Sequence, residues 1–212
     1  MGRARRGSRD GVKAIGVVVL RGGVEIENPL ATALEFVETY SAYDSDHPSA
    51  PHTFDESDLR LANRGGARIS AEEIAAILER RGKIERALRS IDPDASLVGP
   101  VQSIPWGPLT RLFDTFADIR GVGFSKMTKA LHPKRVALIP MLDSVVQAYL
   151  APDTVLPEPF GECATALVRS YKRDLDRNRS ALRAVQRELA SRRHGLTEVR
   201  ILDVLIWSAY AG

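Results

Sequence analysis

Residues 119–123 read Ile-Arg-Gly-Val-Gly, and Lys126 and Lys129 follow the second glycine at helical spacing. Two glycines one residue apart allow a tight turn between helices. They also let backbone amides come close to an anion, which lysines on the next helix would help to neutralise. The chemistry this pattern offers is a grip on a nucleic-acid phosphate by the amides of Gly121 and Gly123, with charge from Lys126 or Lys129. The plainer reading is an ordinary helix-to-helix turn with solvated lysines. His132, Lys134 and Arg135 extend the same basic stretch. Asp143 stands immediately before Ser144, where an aspartate commonly caps a helix by accepting a free backbone N–H. The histidines and aspartates of 44–55 (Asp44, Asp46, His47, His52, Asp55) fit no metal-ligand spacing and read as a solvated loop, so no metal is expected.

These residues need helices around them. Pro29 suits a first helical turn, and Leu30, Ala33, Leu34 and Val37 then recur near helical spacing. A polar, proline-broken stretch over 44–52 precedes a segment from Asp55 to Asn63, which Gly65-Gly66 ends. Ser70 and Glu73 form a capping box for a helix that carries Ile74, Ile77, Leu78, Ile84 and Leu88 and runs to about Ser90. Further helices are expected near Leu109–Asp118, after the glycine turn up to Pro133, and over Leu142–Leu150, Gly161–Asp174, Arg177–Arg192 and Thr197–Tyr210. Before residue 30 the short β-branched run Ile15–Leu20, Gly22-Gly23 and Val24-Glu25-Ile26 suggest a small hairpin. The expected fold is therefore all-α with a short β arm near the N-terminus. Residues 1–11 form a basic tail too poor in apolar groups to repay the entropy of ordering, and 12–212 form one helical domain. Trp106 and Trp207 read as core or near-core anchors.

Composition narrows the function classes. A hydrophobic fraction of 44% and a charged fraction of 27% are ordinary globular values, and the net charge of +3 is a mild hint toward polyanions. The single cysteine, Cys163, can neither close an intrachain disulfide nor build a Cys-rich metal or iron–sulfur site. The longest apolar run, Ala14–Leu20, is far short of a membrane span of about 20 residues. It lacks a cleavage site, so a cytoplasmic protein without a cofactor is expected. The basic run from Arg169 to Arg193 reads as the wet face of amphipathic helices whose dry face holds Leu175, Leu182, Val185 and Leu189.

Residues 113–150 resemble the helix-hairpin-helix DNA glycosylase superfamily, most nearly its adenine glycosylase group. The hairpin is IRGVGFSKM, where that superfamily has L-P-G-V-G-x-x-x-A, and the later motif is IPMLDSVV, where it has P-x-L-D-x-x-V. The resemblance implies a helix-hairpin-helix domain that binds duplex DNA through its backbone without reading sequence. It implies that Asp143 holds the catalytic aspartate's position, beside an extruded nucleotide, where it would stabilise positive charge on the sugar as the glycosidic bond breaks. At the position that carries a lysine in bifunctional members stands Ser125, 18 residues before Asp143, so the chemistry implied is monofunctional base excision without a Schiff base. Arg120 replaces the hairpin proline, Met127 the small alanine, and the four-cysteine iron–sulfur loop is absent. Residues 132–146 are also similar to an actinobacterial family of unknown function. A proton donor for the leaving base is not identified by motif; Glu35 and Glu38 are candidates by helix position. The alternative to a DNA-binding protein is a noncatalytic helical scaffold for a protein partner.

Overall fold

The segment Val199–Ile206 is apolar at nearly every position, and a helix that is hydrophobic all round has to be enclosed by others. The computed structural model, which describes residues 15–44, 46 and 49–211, places it so. The basic tail over 1–11 and His47 lie outside the described residues. Two short antiparallel strands, β1 (Val18–Val19) and β2 (Glu25–Ile26), pair Val18 with Ile26 and Val19 with Glu25. Ten helices follow among the described residues: α1 (Pro29–Asp44), α2 (Glu56–Arg64), α3 (Ala71–Glu79), α4 (Arg81–Arg89), α5 (Trp106–Asp114), α6 (Phe124–Leu131), α7 (Ser144–Leu150), α8 (Phe160–Arg177), α9 (Arg179–Ser191) and α10 (Glu198–Tyr210). The chain is all-α with a short β arm, as its periodicity predicts.

Helix α10 is the hub, touching α1, α7, α8 and α9, while α5 packs along α8 and α2 along α6. One buried apolar cluster runs from Val18 to Ile206. The α5–α8 approach is close because residue 161 is glycine: a Cβ there would meet the Thr110 carbonyl oxygen at 2.5 Å. Instead the Gly161 amide donates to Asp114 Oδ1 at 2.7 Å. The β arm is too short to hold itself and is tied down by side chains. Asn178 accepts from the Val19 amide (2.8 Å) and donates to the Val19 carbonyl (3.0 Å), and Arg21 Nε donates to buried Asp174 at 2.7 Å.

Two expectations are corrected by the packing. The continuous helix over 70–90 is two helices, because at Arg80 the backbone turns (φ −93°, ψ 3°) and its guanidinium donates to the carbonyls of Thr115 and Ala117. The basic surface expected at 132–135 is interior. Lys134 is 5% exposed and pairs with fully buried Asp58 (2.6 Å). Arg135 is 0% exposed and donates to the carbonyls of Pro51 (2.8 Å), Leu88 (2.6 Å) and Ile91 (2.7 Å). His132 is buried too, with Nδ1 2.6 Å from the Ile139 carbonyl oxygen. A buried guanidinium costs several kcal/mol unless hydrogen-bonded, and here three carbonyls, from the loop at Pro51 and the end of α4, offset that cost. Neither Lys134 nor Arg135 reaches a phosphate on the surface. Among the described residues, no helix is long and apolar enough to cross a membrane.

Candidate functional site

The glycine turn forms where the sequence places it. Gly121 takes a left-handed conformation (φ +82°), and Gly123 is the extended residue that begins α6. Ile119 and Val122 are buried beneath them. A carboxylate stands beside the turn. Glu73, the third residue of α3, is held by its capping box (Ser70 amide to Oε2, 2.8 Å), and its carboxylate lies where a Cβ on Gly121 would stand. Lys126 Nζ meets both of its oxygens, at 2.6 and 2.7 Å. Burial opposes ionisation of Glu73, but Lys126 outweighs it and holds the carboxyl below the usual range. Glu72, Glu79 and Asp118 border the same groove. Of the four residues expected to hold a phosphate here, Gly121 and Gly123 are both exposed, Gly121 with the Glu73 carboxylate beside its Cα and Gly123 with open space, while Lys126 is paired with Glu73.

The fourth, Lys129, points elsewhere. One turn further along α6 it lines a cavity of about 500 Å³, together with Asp143. Asp143 caps α7: its Oδ1 accepts from the Val146 amide at 3.0 Å. The preceding residue is fastened to α6, with the Leu142 amide donating to Thr128 Oγ1 at 3.0 Å. The two readings of Asp143 are thus compatible, since one oxygen caps the helix while the residue forms part of a cavity wall. Ser125 is not among the residues lining it. Glu35 and Glu38 are exposed, and neither lines it.

Three further helices complete the walls. From α1 come Phe36, Tyr40 and Tyr43, and the backbone leaves helical geometry at Tyr40 (φ −128°, ψ 21°). From α10 come Arg200, Asp203 and Trp207, and α2 contributes Arg64 with Gly65 and Gly66 behind it. Phe36 and Tyr40 lie tilted against each other and each meets Trp207 edge to face, with centroids 5.0 to 6.0 Å apart. Tyr40 and Trp207 are 51% and 36% exposed, so both stand at the rim of the cavity. Tyr43 is buried, and its hydroxyl donates to the Lys129 carbonyl (2.6 Å).

Besides Asp143, four acidic or basic side chains line the cavity, each in its own environment. Arg200 is paired with Asp44 (2.6 Å). Arg64, exposed, is paired with Asp46 (2.6 Å). Burial lowers the Lys129 ammonium below its ordinary range; Asp143 opposes this, and Arg200 and Arg68 add to it. Burial pushes the Asp203 carboxyl up to about 8, against the pull of Arg200 and of the Met141 amide, which donates to its Oδ2 at 3.0 Å. Among the described residues, no group of three or more His, Cys, Asp or Glu side chains is arranged to hold a metal ion.

A family model described as a family of unknown function, DUF6308, matches residues 33–210. The chain belongs to that family. The matched span takes in every wall of the DUF6308 cavity, from Phe36 to Trp207, and leaves out the β arm. No curated protein and no solved structure matches the chain. The cavity residues of this DUF6308 chain that sequence reading misses are Phe36, Tyr40, Tyr43, Arg64, Arg200, Asp203 and Trp207. One signal for them is visible in the sequence: Arg200 and Asp203 are charges inside an otherwise apolar helix, and such charges need a reason to be buried.

Proposed function

We propose that this chain binds duplex DNA and takes one extruded nucleotide into the cavity beside Asp143, where the carboxylate serves release of the base. The observation that carries this reading is the position of Asp143 on the wall of a cavity of about 500 Å³ edged by Phe36, Tyr40 and Trp207. Aromatic faces and edges accept a planar base, and extrusion from a stack is offset by such contacts. A carboxylate at that wall stabilises positive charge as it develops on the sugar, which favours the transition state over the bound substrate. The amine on the wall is Lys129 and not residue 125, so capture of an abasic sugar is expected at Lys129 if it occurs. Backbone contacts fall to Gly123 and to cations at the mouth, Arg64 and Lys129, in place of Gly121, Lys126, Lys134 and Arg135.

The test is base release from a panel of duplexes bearing single mismatches or damaged bases. Wild type is expected to leave alkali-labile abasic sites in at least one, and Asp143→Asn to leave none while binding the same duplex with similar affinity. Duplex binding without base release in any member of the panel confines the function to binding, and no binding at low salt removes the reading altogether.

A second reading has its own observation. The groove at the glycine turn is edged by Glu72, Glu73, Glu79 and Asp118 beside Arg80 and Arg120, and its excess of carboxylates repels phosphates and suits a basic protein segment. On that reading the fold is a noncatalytic scaffold, and duplex binding stays absent at every salt concentration.

A further inference from the structure

Four of the described lysines are buried or half-buried, and three of them have a carboxylate partner. Lys126, Lys134 and Lys172 pair with Glu73, Asp58 and Asp176 at 2.6, 2.6 and 2.8 Å. Lys129 lines the cavity half-buried, yet among the described residues its ammonium has neither an ion pair nor a hydrogen bond. Its position is set by the turn after α2: Nζ lies 3.8 Å from where a Cβ on Gly66 would stand, and Gly66 lines the same cavity. Asp143, also on the wall, attracts it from beyond ion-pair distance. The loop that follows Gly66 adds charge of the same sign. Arg68 is exposed, unpaired among the described residues and held in the left-handed region (φ +56°), which few residues other than glycine adopt. Asn63 fixes the loop, its Oδ1 accepting from the Ile69 amide (2.6 Å) and its Nδ2 donating to the Ile69 carbonyl (2.9 Å). Arg68 is near enough to weigh against the charge on Lys129. Arg64, at the end of α2, lines the cavity, and its pair with Asp46 is solvent-exposed, a kind of pair that holds a guanidinium only weakly. Three cations at one short loop, against one paired carboxylate and the more distant Asp143, leave a positive excess that an anion neutralises.

We propose that Lys129 and the loop from Arg64 to Arg68 form a phosphate subsite at the mouth of the cavity, and that the ligand it suits is a nucleoside monophosphate whose planar base lies against Phe36, Tyr40 and Trp207. This rests on the proposed nucleotide-binding role of the cavity and adds a terminal phosphate to what the cavity recognises. A phosphate monoester carries a charge of about −1.5 to −2 at neutral pH and three acceptor oxygens, whereas each internal phosphate of a duplex carries a single charge. An unpaired ammonium with two guanidinium groups beside it therefore favours the monoester, since hydrogen bonds between ionised partners are the stronger ones. The cavity, at about 500 Å³, lies within the range of about 300–1,000 Å³ typical of small-ligand sites. Asp143 sets the direction of binding. Its carboxylate repels the phosphate, which is thereby directed to the Gly66 side of Lys129, and Asp143 is left beside the sugar.

The experiment titrates the full-length protein at low salt with adenosine 5′-monophosphate and with adenosine, and then with the corresponding uridine pair. Binding is followed by tryptophan fluorescence, to which Trp207 at the cavity rim contributes, and circular dichroism verifies folding of each variant. The ratio of nucleotide to nucleoside affinity reads the subsite. For wild type, the nucleotide of at least one pair is expected to bind about tenfold or more tightly than its nucleoside, with inorganic phosphate competing against the nucleotide and not against the nucleoside. Lys129→Gln is expected to bring the ratio close to one, Lys129→Arg to restore most of it, and Arg68→Gln, at an exposed position, to lower it severalfold. A wild-type ratio near one overturns the proposal, as does a ratio that Lys129→Gln leaves unchanged. Absence of nucleotide binding overturns it too, and if a mismatched duplex binds all the same, the DNA reading stands without the subsite. If the nucleotide binds with this dependence on Lys129 and no duplex binds, the DNA reading fails while the subsite stands.

Discussion

Asp143 performs two tasks with one side chain, and they respond differently to substitution. Asparagine caps helices nearly as well as aspartate, so Asp143→Asn is expected to change folding stability by well under about 1 kcal/mol, whereas Asp143→Ala should cost about 1 kcal/mol through loss of the bond to the Val146 amide. Urea unfolding of the two variants measures this, and a collapse of Asp143→Asn would mean that the residue is structural. Lys129 supports a second expectation at this scale. If the wild-type protein forms abasic sites, its amine can condense with the sugar aldehyde, water leaving as the imine forms, and borohydride reduces that imine to a stable adduct. Trapping is expected to persist in Ser125→Ala and to vanish in Lys129→Gln. Adducts unaffected by Lys129→Gln would place the reacting amine elsewhere.

At the scale of elements, the glycine turn is joined to α3 by the Glu73–Lys126 pair, half-buried and made at both oxygens. The Glu73 carboxylate lies beside Gly121 and repels a phosphate that approaches the turn. Glu73→Gln weakens the carboxylate's competition and frees Lys126. It is expected to raise duplex affinity severalfold at low salt and to steepen the salt dependence by a log–log slope of about 0.9 for one further phosphate neutralised. Anisotropy with a labelled duplex over a salt series reads both quantities, and an unchanged slope would show that the turn takes no part in binding. The elements themselves were legible. The Ser70–Glu73 box, the stop at Gly65-Gly66 and the helix opening after Asp143 follow from local chemistry that the chain carries within a few residues. What was hidden depends on partners far away in sequence. Glu73 meets Lys126, Arg135 meets Pro51, Leu88 and Ile91, and α1 meets α10 around the cavity. Lys134 and Arg135 look like a cationic surface in sequence because nothing local signals the carbonyls and the buried carboxylate that receive them.

For the whole molecule, two buried ionisable groups set expectations for stability. Arg135 joins the loop at Pro51 to the end of α4 across the core, and replacing it by alanine strands several carbonyls and opens a void. The expected loss is about 3–5 kcal/mol, measured by denaturant unfolding. Asp203 acts through pH. Its carboxyl is raised in the folded state to about 8, so the folded chain keeps a proton that the unfolded chain releases above the ordinary aspartate range. Its effect on stability is therefore most favourable in acid, worsens as pH rises through the interval from about 4 to about 8 by at most about 1.4 kcal/mol per pH unit, and levels off beyond. Other groups titrate too, so the quantity to compare is the difference between wild type and Asp203→Asn. That difference is expected to move in favour of the asparagine variant as pH rises from 5 to 8.

The central claim is that the cavity beside Asp143 receives a nucleotide extruded from duplex DNA. Extrusion is cheapest for a mismatched base, so a protein that pays it binds a mismatch-bearing duplex more tightly than the same duplex fully paired. The measurement is the ratio of these two affinities, by anisotropy at one low salt concentration, for wild type and for Thr39→Trp, which narrows the cavity mouth from an exposed position on α1. The account predicts a wild-type preference of about tenfold or more, abolished in Thr39→Trp with affinity for the paired duplex unchanged. Equal affinity of wild type for the two duplexes, or no binding to either, would contradict it.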